Sequence, residues 1–352
     1  MKNKVINISI IGCGRVSDHY KSIFRSLELD SFKLVGCFDL NQDKSKNFAN
    51  FFNIKSYENY ANMLEESKQD LVIVLTPSGS HYDISKQALT CNVNVLVEKP
   101  ATLLPQQIVE LYKLSEEKKL LYAVSFQNRL NPSIQLLKKN FHRLGKIITS
   151  SVVLRWCRFQ DYYDDEWHGT WKNDGGVTNQ QAIHHIDVMN YILGPIKELI
   201  TSNCNRLNDL EAEDTSVSII KFENGGLGTV ELTTAARPID YEASIKIVGE
   251  KGMVSIGGVA LNHIENWYFE EIIPEDVNFN SYSEKVPNGY GLSHKSIIIN
   301  VINYLNGNKN AQIIRAIDSL ETCKLIHSMY KSHETGKWVN VKDNLLSNYL
   351  GK

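Results

Sequence analysis

The order of elements at the start of the chain places the strongest constraint on its fold. Val5 to Ile11 is a short β-branched run, Gly12 to Ser17 (GCGRVS) is a glycine-rich turn, and Asp18 to Leu29 has a helical pattern. A strand, a glycine turn and a helix N-terminus in this order form a dinucleotide-binding unit, because the free N–H groups of the helix hold a pyrophosphate. Ser17 replaces the third glycine of the fingerprint and is small enough for close packing. We therefore predict cofactor contacts from Gly12, Cys13, Gly14, Arg15 and Val16.

The second strand ends in an acidic residue. Lys33 to Phe38 is apolar overall, and Asp39 follows it directly. A carboxylate at this place can accept hydrogen bonds from the adenosine ribose hydroxyls, and it would repel the 2′-phosphate of NADP. The sequence therefore predicts NAD as the cofactor. The alternative is that Asp39 only caps the helix that begins near Asn41.

Two further apolar strands end in chemically active segments. Leu71 to Leu75 runs into TPSGSH, and Val93 to Val97 runs into Glu98-Lys99-Pro100. Each strand is followed by a helix, as in parallel sheets that are covered on both faces. Ligands in such sheets lie beyond the carboxyl ends of the strands. We therefore add these residues to the predicted cofactor site: Thr76, Pro77, His81, Glu98 and Lys99. A solvated surface lysine is the alternative for Lys99, but its place at the end of a buried strand, before a proline, disfavours it.

A polar segment later in the chain predicts a second part of the site. Trp167 to Asp187 reads WHGTWKNDGGVTNQQAIHHID and contains a glycine pair that permits a tight turn. The apolar spacing predicts a helix from Asn179 to Leu193, on which Gln180 and His184 are four residues apart and share a face. The alternative is a buried helix end whose amides and imidazoles satisfy backbone groups.

The alternation of strands and helices stops near Ser125 to Asn131, so we place a domain boundary there. The predicted fold class is α/β, with a Rossmann domain over 1–125 and an α+β domain over 126–352 whose open-faced sheet is largely antiparallel. The strands predicted for this sheet are Ile147 to Trp156, Ser216 to Phe222, Leu227 to Thr234, Tyr241 to Val248 and Met253 to Ile256. The Asn179 helix should cover one face, while the other should pair with a second subunit in a homodimer or homotetramer. Helical patterns over Ser293 to Leu305 and Gln312 to Ser332 complete the chain.

Charge and composition exclude several classes of function. The 352 residues carry a formal net charge of -2, which gives no general attraction to nucleic acid or to an anionic membrane. No segment approaches the roughly 20 apolar residues of a membrane span. The six cysteines are scattered and form no C-x-x-C pair, so we expect neither a disulfide framework nor a zinc knuckle. A reducing cytoplasm is the expected location.

The motifs together resemble those of the Gfo/Idh/MocA oxidoreductases over essentially the whole chain. They are the glycine turn, the acid after strand two, TPSGSH, EKP and the GG...HHID segment, in that order. Within the family, QNRLNPSIQ, RWCR and YYDDEWHGTW are most similar to the WlbA-type enzymes. That resemblance implies NAD-dependent oxidation of the C3′ hydroxyl of UDP-N-acetylglucosaminuronic acid to a 3-keto sugar, in the biosynthesis of surface-polysaccharide sugars. We also predict that Asn128, in QNRLNPSIQ, binds the cofactor.

Hydride transfer from a secondary alcohol needs a group that takes the hydroxyl proton, and Lys99 and His184 are the two candidates. Many relatives carry a carboxylate one turn before the histidine, where it raises the basicity of the imidazole. This chain has Gln180 there, which supplies no charge. Lys99 either shares the proton transfer or stays charged and polarises the oxygen, and the sequence leaves both possibilities open.

Arginines and aromatic residues predict a large, anionic substrate. Guanidinium groups grip phosphates, and aromatic rings stack on a base or a sugar. The predicted substrate contacts, beside Lys99, Gln180 and His184, are Arg155, Arg158, Tyr163, Trp167, Trp171 and Asn179, with Tyr162 in the same segment. The alternative is that the aromatic residues anchor a long loop. WlbA-type enzymes often read WRGTW, whereas this chain has His168 in place of the arginine, so a neutral nucleotide sugar is an alternative to a uronate.

Other functions compete with this prediction. The same family includes other sugar, inositol and nucleotide-sugar dehydrogenases and 3-ketoreductases, and a non-catalytic NAD-binding regulator could share the fold. A metal centre is a further alternative, built from His168, Asp174, His184, His185 and Asp187. We predict no metal, because adjacent histidines point about 100° apart on a helix and because nicotinamide chemistry needs no ion.

Overall fold

The computed structural model describes residues 4–27 and 30–352. The described strands are β1 (Ile6–Ile11), β2 (Phe32–Phe38), β3 (Lys55–Tyr57), β4 (Leu71–Val74), β5 (Asn94–Val97), β6 (Tyr122–Val124), β7 (Ile147–Arg155), β8 (Ile196–Cys204), β9 (Thr215–Phe222), β10 (Leu227–Thr233), β11 (Glu242–Gly249), β12 (Gly252–Gly257), β13 (His263–Phe269) and β14 (Val339–Asn340). The described α-helices are α1 (Arg15–Ser26), α2 (Gln42–Phe52), α3 (Tyr60–Glu66), α4 (His81–Thr90), α5 (Pro105–Lys118), α6 (Pro132–Asn140), α7 (Ile183–Leu193), α8 (His294–Leu305) and α9 (Leu320–Thr335).

The chain divides into two compact units. The first comprises the residues up to Ser125 together with His294–Leu320, and the second comprises Phe126–Ser293 and Glu321–Lys352. The domain bounds predicted from the sequence, 1–125 and 126–352, stay a prediction, and the unit that contains the first sheet also includes residues 294–320. The physical reason is that the chain returns to the first sheet. There the Val124 N–H donates to the Ile314 carbonyl at 3.0 Å, a normal hydrogen-bond distance.

The first unit is built on a parallel sheet. Its strand order is β3-β2-β1-β4-β5-β6, so β2 and β3 lie on one side of β1, and the later strands lie on the other side, beginning with β4. The residues of β1, β4 and β5 are almost all buried, as expected for strands with helices on both faces. The carboxyl ends of β1, β2, β4 and β5 therefore lie along one edge, and the predicted Rossmann fold is confirmed.

The first helix begins earlier than predicted. Gly14 is the N-cap of α1, so Arg15, Val16 and Ser17 belong to the helix and not to the turn before it. The predicted end of this helix, Leu29, lies outside the described residues, whose helix ends at Ser26. Ser17 is fully buried, as its small size requires for close packing.

The second unit contains a mixed sheet in the order β13-β12-β11-β7-β10-β9-β8-β14. Its described neighbours pair antiparallel except β7 and β10, which are parallel, so the predicted largely antiparallel sheet is confirmed. Helix α7 packs against β7 and β11 on one face. On the other face, Val217, Ile219 and Leu227 are each about half exposed. Strands β8, β13 and β14 were not predicted from the sequence.

The two later helices differ from their predicted bounds. Helix α7 begins at Ile183, and residues 179–182 form turns, so Asn179 and Gln180 precede the helix on which they were placed. The last helix begins at Leu320, after a 3₁₀ turn over Ala316–Ser319, and continues to Thr335. Within residues 4–27 and 30–352, no helix is both long and apolar enough to cross a membrane. All six cysteines are free thiols.

Candidate active site

The glycine turn of the first unit leaves room for a ligand at the start of α1. Gly12 has φ of +95°, and a Cβ there would lie 2.7 Å from the carbonyl carbon of Leu75, so only glycine fits between β1 and β4. A Cβ on Gly14, in contrast, would meet no described atom within 4 Å. No side chain caps the helix at Gly14. The residues present therefore fit a pyrophosphate, which would occupy this space in front of the helix N–H groups.

Asp39 closes the same turn from β2. One carboxylate oxygen accepts a hydrogen bond from the Cys13 N–H at 2.7 Å, and the other accepts one from the Asn41 N–H at 2.7 Å. The N-cap of α2 is Asn41, whose side chain receives the N–H groups of Asp43 and Lys44. Asp39 is therefore not the cap of this helix, and its carboxylate lies beside the turn that the cofactor is predicted to contact.

His81 connects the TPSGSH segment to the EKP segment. The ring is buried, with Nδ1 2.7 Å from the Pro100 carbonyl oxygen and Nε2 2.9 Å from the Thr76 carbonyl oxygen. Burial lowers the pKa of this imidazole, while the two carbonyl contacts oppose that shift. These contacts hold Thr76 and Pro100 in place, and the contact of His81 with the cofactor stays a prediction.

Glu98 and Lys99 end strand β5. The Glu98 carboxylate is buried and accepts hydrogen bonds from the Tyr20 hydroxyl at 2.7 Å and from the Lys99 N–H at 3.2 Å. Burial alone would raise the pKa of Glu98, but His294, Tyr20 and Lys99 together lower it to about 2. The Lys99 side chain is half-buried. Glu98 is thus an ionised group that fixes the backbone at the predicted catalytic lysine.

In the second unit, the loop before α7 is held by a buried carboxylate that sequence reasoning missed. Glu213 accepts the Thr178 N–H at 3.0 Å and the Tyr330 hydroxyl at 3.1 Å, and that hydroxyl also receives the Gly176 N–H at 3.1 Å. A Cβ on Gly176 would overlap Glu213, which explains the second glycine of the pair. The loop that carries Asn179 and Gln180 therefore rests on Glu213.

The burial of Glu213 makes a prediction for stability against pH. Burial raises the pKa of this carboxyl from 4.5 to about 7. The protonated form stabilises the fold fully below pH 4.5, and that contribution is lost as the pH rises through 7. Between pH 5 and pH 8 the wild-type protein should lose about 2.5 kcal/mol of its free energy of unfolding through this carboxyl. We expect Glu213→Gln to remove that loss, because an amide does not titrate. Urea unfolding of both proteins at pH 5 and pH 8 measures the free energy of unfolding. The same pH dependence in the wild-type and Glu213→Gln proteins would contradict the prediction.

The residues at the start of α7 are all buried. His184, Asn179 and Gln180 lie in this group, and the His184 ring packs edge-on against Phe126 at 5.8 Å. The neighbouring His185 packs edge-on against Trp156 at 5.7 Å, and burial lowers its pKa to about 4. The two histidines thus face different surroundings, which agrees with the predicted angle between them.

Asp187 has a structural contact that the sequence did not reveal. It forms a bidentate ion pair with Arg129, with both N–O distances 2.7 Å, and the Thr322 hydroxyl donates to it at 2.8 Å. Both charged side chains are buried. The pair ties the QNRLN segment, which includes the predicted cofactor ligand Asn128, to α7. Asn128 itself is buried.

The two predicted phosphate-binding arginines have different surroundings. Arg155 belongs to the face opposite the buried Trp156, where it pairs with Glu231 at 2.7 Å and with Glu242 at 2.8 Å. Arg158 pairs with Asp240 at 2.9 Å and lines a surface cavity of about 360 Å³ together with Phe159 and Ile239. The structure therefore separates Arg155 from α7 and leaves Arg158 as the arginine that borders a cavity.

The aromatic residues of the long loop pack within the second unit. The Tyr163 hydroxyl contacts the Thr234 hydroxyl at 2.8 Å, and Trp171 packs between Tyr330 and Tyr349. These contacts agree with the anchoring alternative. Trp167 lies with its ring 3.6 Å from that of His168 and stays partly exposed.

His168 takes a local partner within the loop. Its Nδ1 lies 2.6 Å from the Asp165 carboxylate, which also accepts the His168 N–H at 2.9 Å. Burial opposes ionisation of Asp165, yet the contacts with His168 and Trp167 lower its pKa. In the described part of the chain, no three His, Cys, Asp or Glu side chains come close enough to hold a metal ion.

Comparison with known proteins identifies the family. The profile described as the NAD-binding Rossmann fold of the Gfo/Idh/MocA oxidoreductase family matches residues 6–126, and the profile of its C-terminal alpha/beta domain matches residues 138–341. The scyllo-inositol 2-dehydrogenase (NAD(+)) of Bacillus subtilis is 24% identical over 266 residues, which cover 74% of this chain and 76% of that protein.

Two solved structures are similar over nearly the whole length. The WlbA dehydrogenase of Chromobacterium violaceum, in complex with NADH and UDP-GlcNAcA, has a TM-score of 0.90 and 29% identity, covering 97% of each chain. The WlbA dehydrogenase of Bordetella pertussis, with the same ligands, has a TM-score of 0.89 and 28% identity, covering 97% of this chain and 98% of that one. The chain belongs to the Gfo/Idh/MocA family of oxidoreductases, and it is an NAD-dependent dehydrogenase that acts on a CH–OH group.

Proposed function

We propose that this dehydrogenase oxidises the C3′ hydroxyl of a nucleotide sugar of the UDP-N-acetylglucosaminuronic acid type, forming the 3-keto sugar for surface-polysaccharide biosynthesis in the cytoplasm. The observation that carries the proposal is the 29% identity, at a TM-score of 0.90 over 97% of the chain, to a WlbA dehydrogenase bound to NADH and UDP-GlcNAcA. The balanced reaction converts the alcohol and NAD⁺ to the ketone, NADH and one proton.

In this proposal, the first unit binds NAD. Backbone groups of the turn from Gly12 to Val16 hold the pyrophosphate, and Asp39 accepts the ribose hydroxyls. Thr76 and Pro77 line the nicotinamide end, with Glu98, Lys99 and Asn128. NAD supplies the hydride acceptor when it is bound. The open space at Gly14 supports this assignment.

The proposed catalytic residues are Lys99 and His184, with Gln180 as a neutral neighbour of the histidine. One of the two bases takes the proton of the C3′ hydroxyl as the hydride leaves the carbon. The imidazole of His184 accepts it as a neutral base, or the amine of Lys99 accepts it while His184 hydrogen-bonds the oxygen. Asn179, Trp167, Trp171 and Tyr163 shape the sugar site directly or through the loop they anchor.

We propose Arg158 as the arginine that recognises the substrate diphosphate, because it borders a cavity, whereas Arg155 is engaged by two carboxylates. A neutral nucleotide sugar is the second candidate, since His168 replaces the arginine of WRGTW and bonds to Asp165. Other sugars and inositol are further candidate substrates, because a relative of this chain is a scyllo-inositol 2-dehydrogenase.

A screen of sugars for NADH formation tests the proposed substrate. We expect oxidation of UDP-N-acetylglucosaminuronic acid and little or none of UDP-N-acetylglucosamine, because a site built for a carboxylate loses its partner with the neutral sugar. Arg158→Ala should raise KM more than it lowers kcat, and Arg155→Ala serves as the matched control. Equal rates with both sugars would show that the carboxylate is not recognised. Activity on free inositol or glucose alone would refute the nucleotide-sugar proposal, and no turnover on any sugar would favour a regulator.

The preference for NAD is tested through Asp39. Calorimetry should show tighter binding of NAD than of NADP, because the carboxylate repels a 2′-phosphate and Asn41 to Ser45 contains no arginine. Asp39→Asn keeps one acceptor oxygen for the turn, and it should reduce the difference in affinity between NAD and NADP. Asp43→Asn, at the first turn of α2, is the control and should leave it unchanged. Equal or tighter binding of NADP to the wild-type protein would contradict the prediction.

We also propose that the open face of the second sheet pairs with a second copy of the chain. Leu227, Val248, Met253 and Tyr268 lie in one row across this face, since they are register partners directly or through Thr149. All four are exposed in the single chain. Such a row is typical of a subunit interface. Sedimentation of the protein at a single-chain mass would contradict this proposal.

A further inference from the structure

A buried group of titratable side chains lies behind the predicted catalytic lysine in the first unit. We call it the Glu98 cluster, and its members are Tyr20, His19, Glu98, Ser125 and His294. Tyr20 contacts Glu98 at 2.7 Å and the Ser125 hydroxyl at 3.1 Å. His294, at the start of α8, places its Nε2 3.6 Å from the same carboxylate oxygen and its Nδ1 3.3 Å from His19 Nε2.

These distances fit a chain of two imidazoles that ends on the carboxylate. With a proton on Nε2, the His294 ring directs an N–H at Glu98, and its Nδ1 can share a hydrogen bond with Nε2 of His19. Burial, followed by the electrostatic effect of His294, lowers the pKa of His19 to about 4, so the His19 ring is neutral. The cluster thus places an imidazole N–H of His294 against the buried Glu98 carboxylate.

The contact with His294 matters for Lys99 because Glu98 is shared. One carboxylate oxygen faces Tyr20 and His294, and the other accepts the Lys99 N–H at 3.2 Å. A buried carboxylate that loses a neighbouring N–H group binds a proton more readily. A protonated Glu98 is a weaker acceptor for the Lys99 amide. The imidazole of His294 therefore strengthens the hydrogen bond that holds the backbone of Lys99.

We propose that His294 is a positioning residue for hydride transfer, because its imidazole faces the buried Glu98 carboxylate and keeps it as the acceptor that holds the Lys99 backbone amide. The inference rests on the dehydrogenase activity and on the proposed role of Lys99, and it is independent of which sugar is the substrate. The titratable groups that face Glu98 are Tyr20 and His19 from α1, His81 from α4, Lys99 from its own segment and His294 from α8.

Amide hydrogen exchange tests the positioning role without a substrate. In His294→Leu the Lys99 N–H should exchange roughly tenfold faster than in the wild-type protein, because its acceptor is weakened. The Glu98 N–H, which donates to the Val74 carbonyl at 2.9 Å, is the internal reference and should not change. His142→Ala, at an exposed histidine of the second unit, is the control variant. Equal protection of Lys99 in the wild-type and His294→Leu proteins would overturn the proposal.

The pH dependence of kcat gives a readout that a general loss of stability would not produce. UDP-N-acetylglucosaminuronic acid is the substrate used. In the wild-type protein Glu98 stays ionised, since its pKa is about 2. In His294→Leu, burial raises that pKa, so kcat should fall about tenfold and an additional acidic limb should appear as the pH falls. Glu98→Gln in the same variant should remove the limb, because an amide does not titrate. A limb that survives in the double variant would overturn the proposal.

The wild-type protein supplies a measurement that needs neither a folded variant nor turnover. The ¹³C signal of the Glu98 carboxyl should show an ionised group, with no titration from roughly pH 4 to 8. Titration of Glu98 within that range would overturn the proposal. If the sugar screen fails while Lys99 exchange and the Glu98 signal behave as expected, the proposed substrate is wrong and the role of His294 stands.

Discussion

Replacing Lys99 by Met should lower kcat by about 10²-fold or more, and His184→Ala should do the same, because a positioned acid or base contributes that much to proton transfer. NADH binding should survive both changes, since the glycine turn and Asp39 are untouched. Steady-state kinetics with UDP-N-acetylglucosaminuronic acid and NADH fluorescence titration measure the two quantities. Normal turnover by Lys99→Met would remove the lysine from the mechanism.

Matched controls separate the chemistry from the loss of any lysine or histidine. Lys86 lies on α4 in an exposed ion pair with Glu110, and His142 is an exposed histidine of the second unit. Lys86→Met and His142→Ala should leave kcat unchanged. If Lys99 and His184 act on the same proton, the double variant should lose little more than the worse single variant. Independent roles would instead give losses that multiply.

Much of the first unit could be predicted because local pattern and fold agree there. The apolar runs of β4 and β5 are buried on both faces, and Gly12 is required by the close approach of Leu75. The glycine turn, Asp39 and the EKP segment follow strands whose carboxyl ends must meet. The Glu98 cluster could not be predicted, since His294 reaches it from a segment almost 200 residues later.

The second unit was harder to predict for two physical reasons. Strands such as β8, IKELITSNC, alternate buried and exposed residues and include polar ones, so no apolar run marks them. The predicted helix also included residues 179–182, although its apolar residues begin only at Ile183. Glu213 and Tyr330 hold the preceding loop from distant segments, and α7 starts at Ile183. Arg155 could have been placed correctly, because strict alternation along β7 puts it opposite Leu154 and Trp156.

The ion pair between Arg129 and Asp187 yields the largest expected effect on stability. Asp187→Ala leaves a buried guanidinium without its carboxylate and the Thr322 hydroxyl without its acceptor, so we expect a loss of about 3–5 kcal/mol in the free energy of unfolding. Urea denaturation, followed by circular dichroism, measures that loss. The exposed pair of Lys139 and Glu275 is the matched control, and Glu275→Ala should cost at most about 1 kcal/mol.

A double variant shows whether the loss comes from the stranded charge. Replacing Arg129 by Met and Asp187 by Leu removes both charges and keeps apolar volume, so it should lose less than Asp187→Ala alone. Asp187 is three residues after His184 on α7, so kcat should also be lower in Asp187→Ala. In the double variant, kcat should return part of the way to the wild-type value only if the QNRLN segment keeps its place. An Asp187→Ala protein no less stable than Glu275→Ala would show that the buried pair does not stabilise this unit.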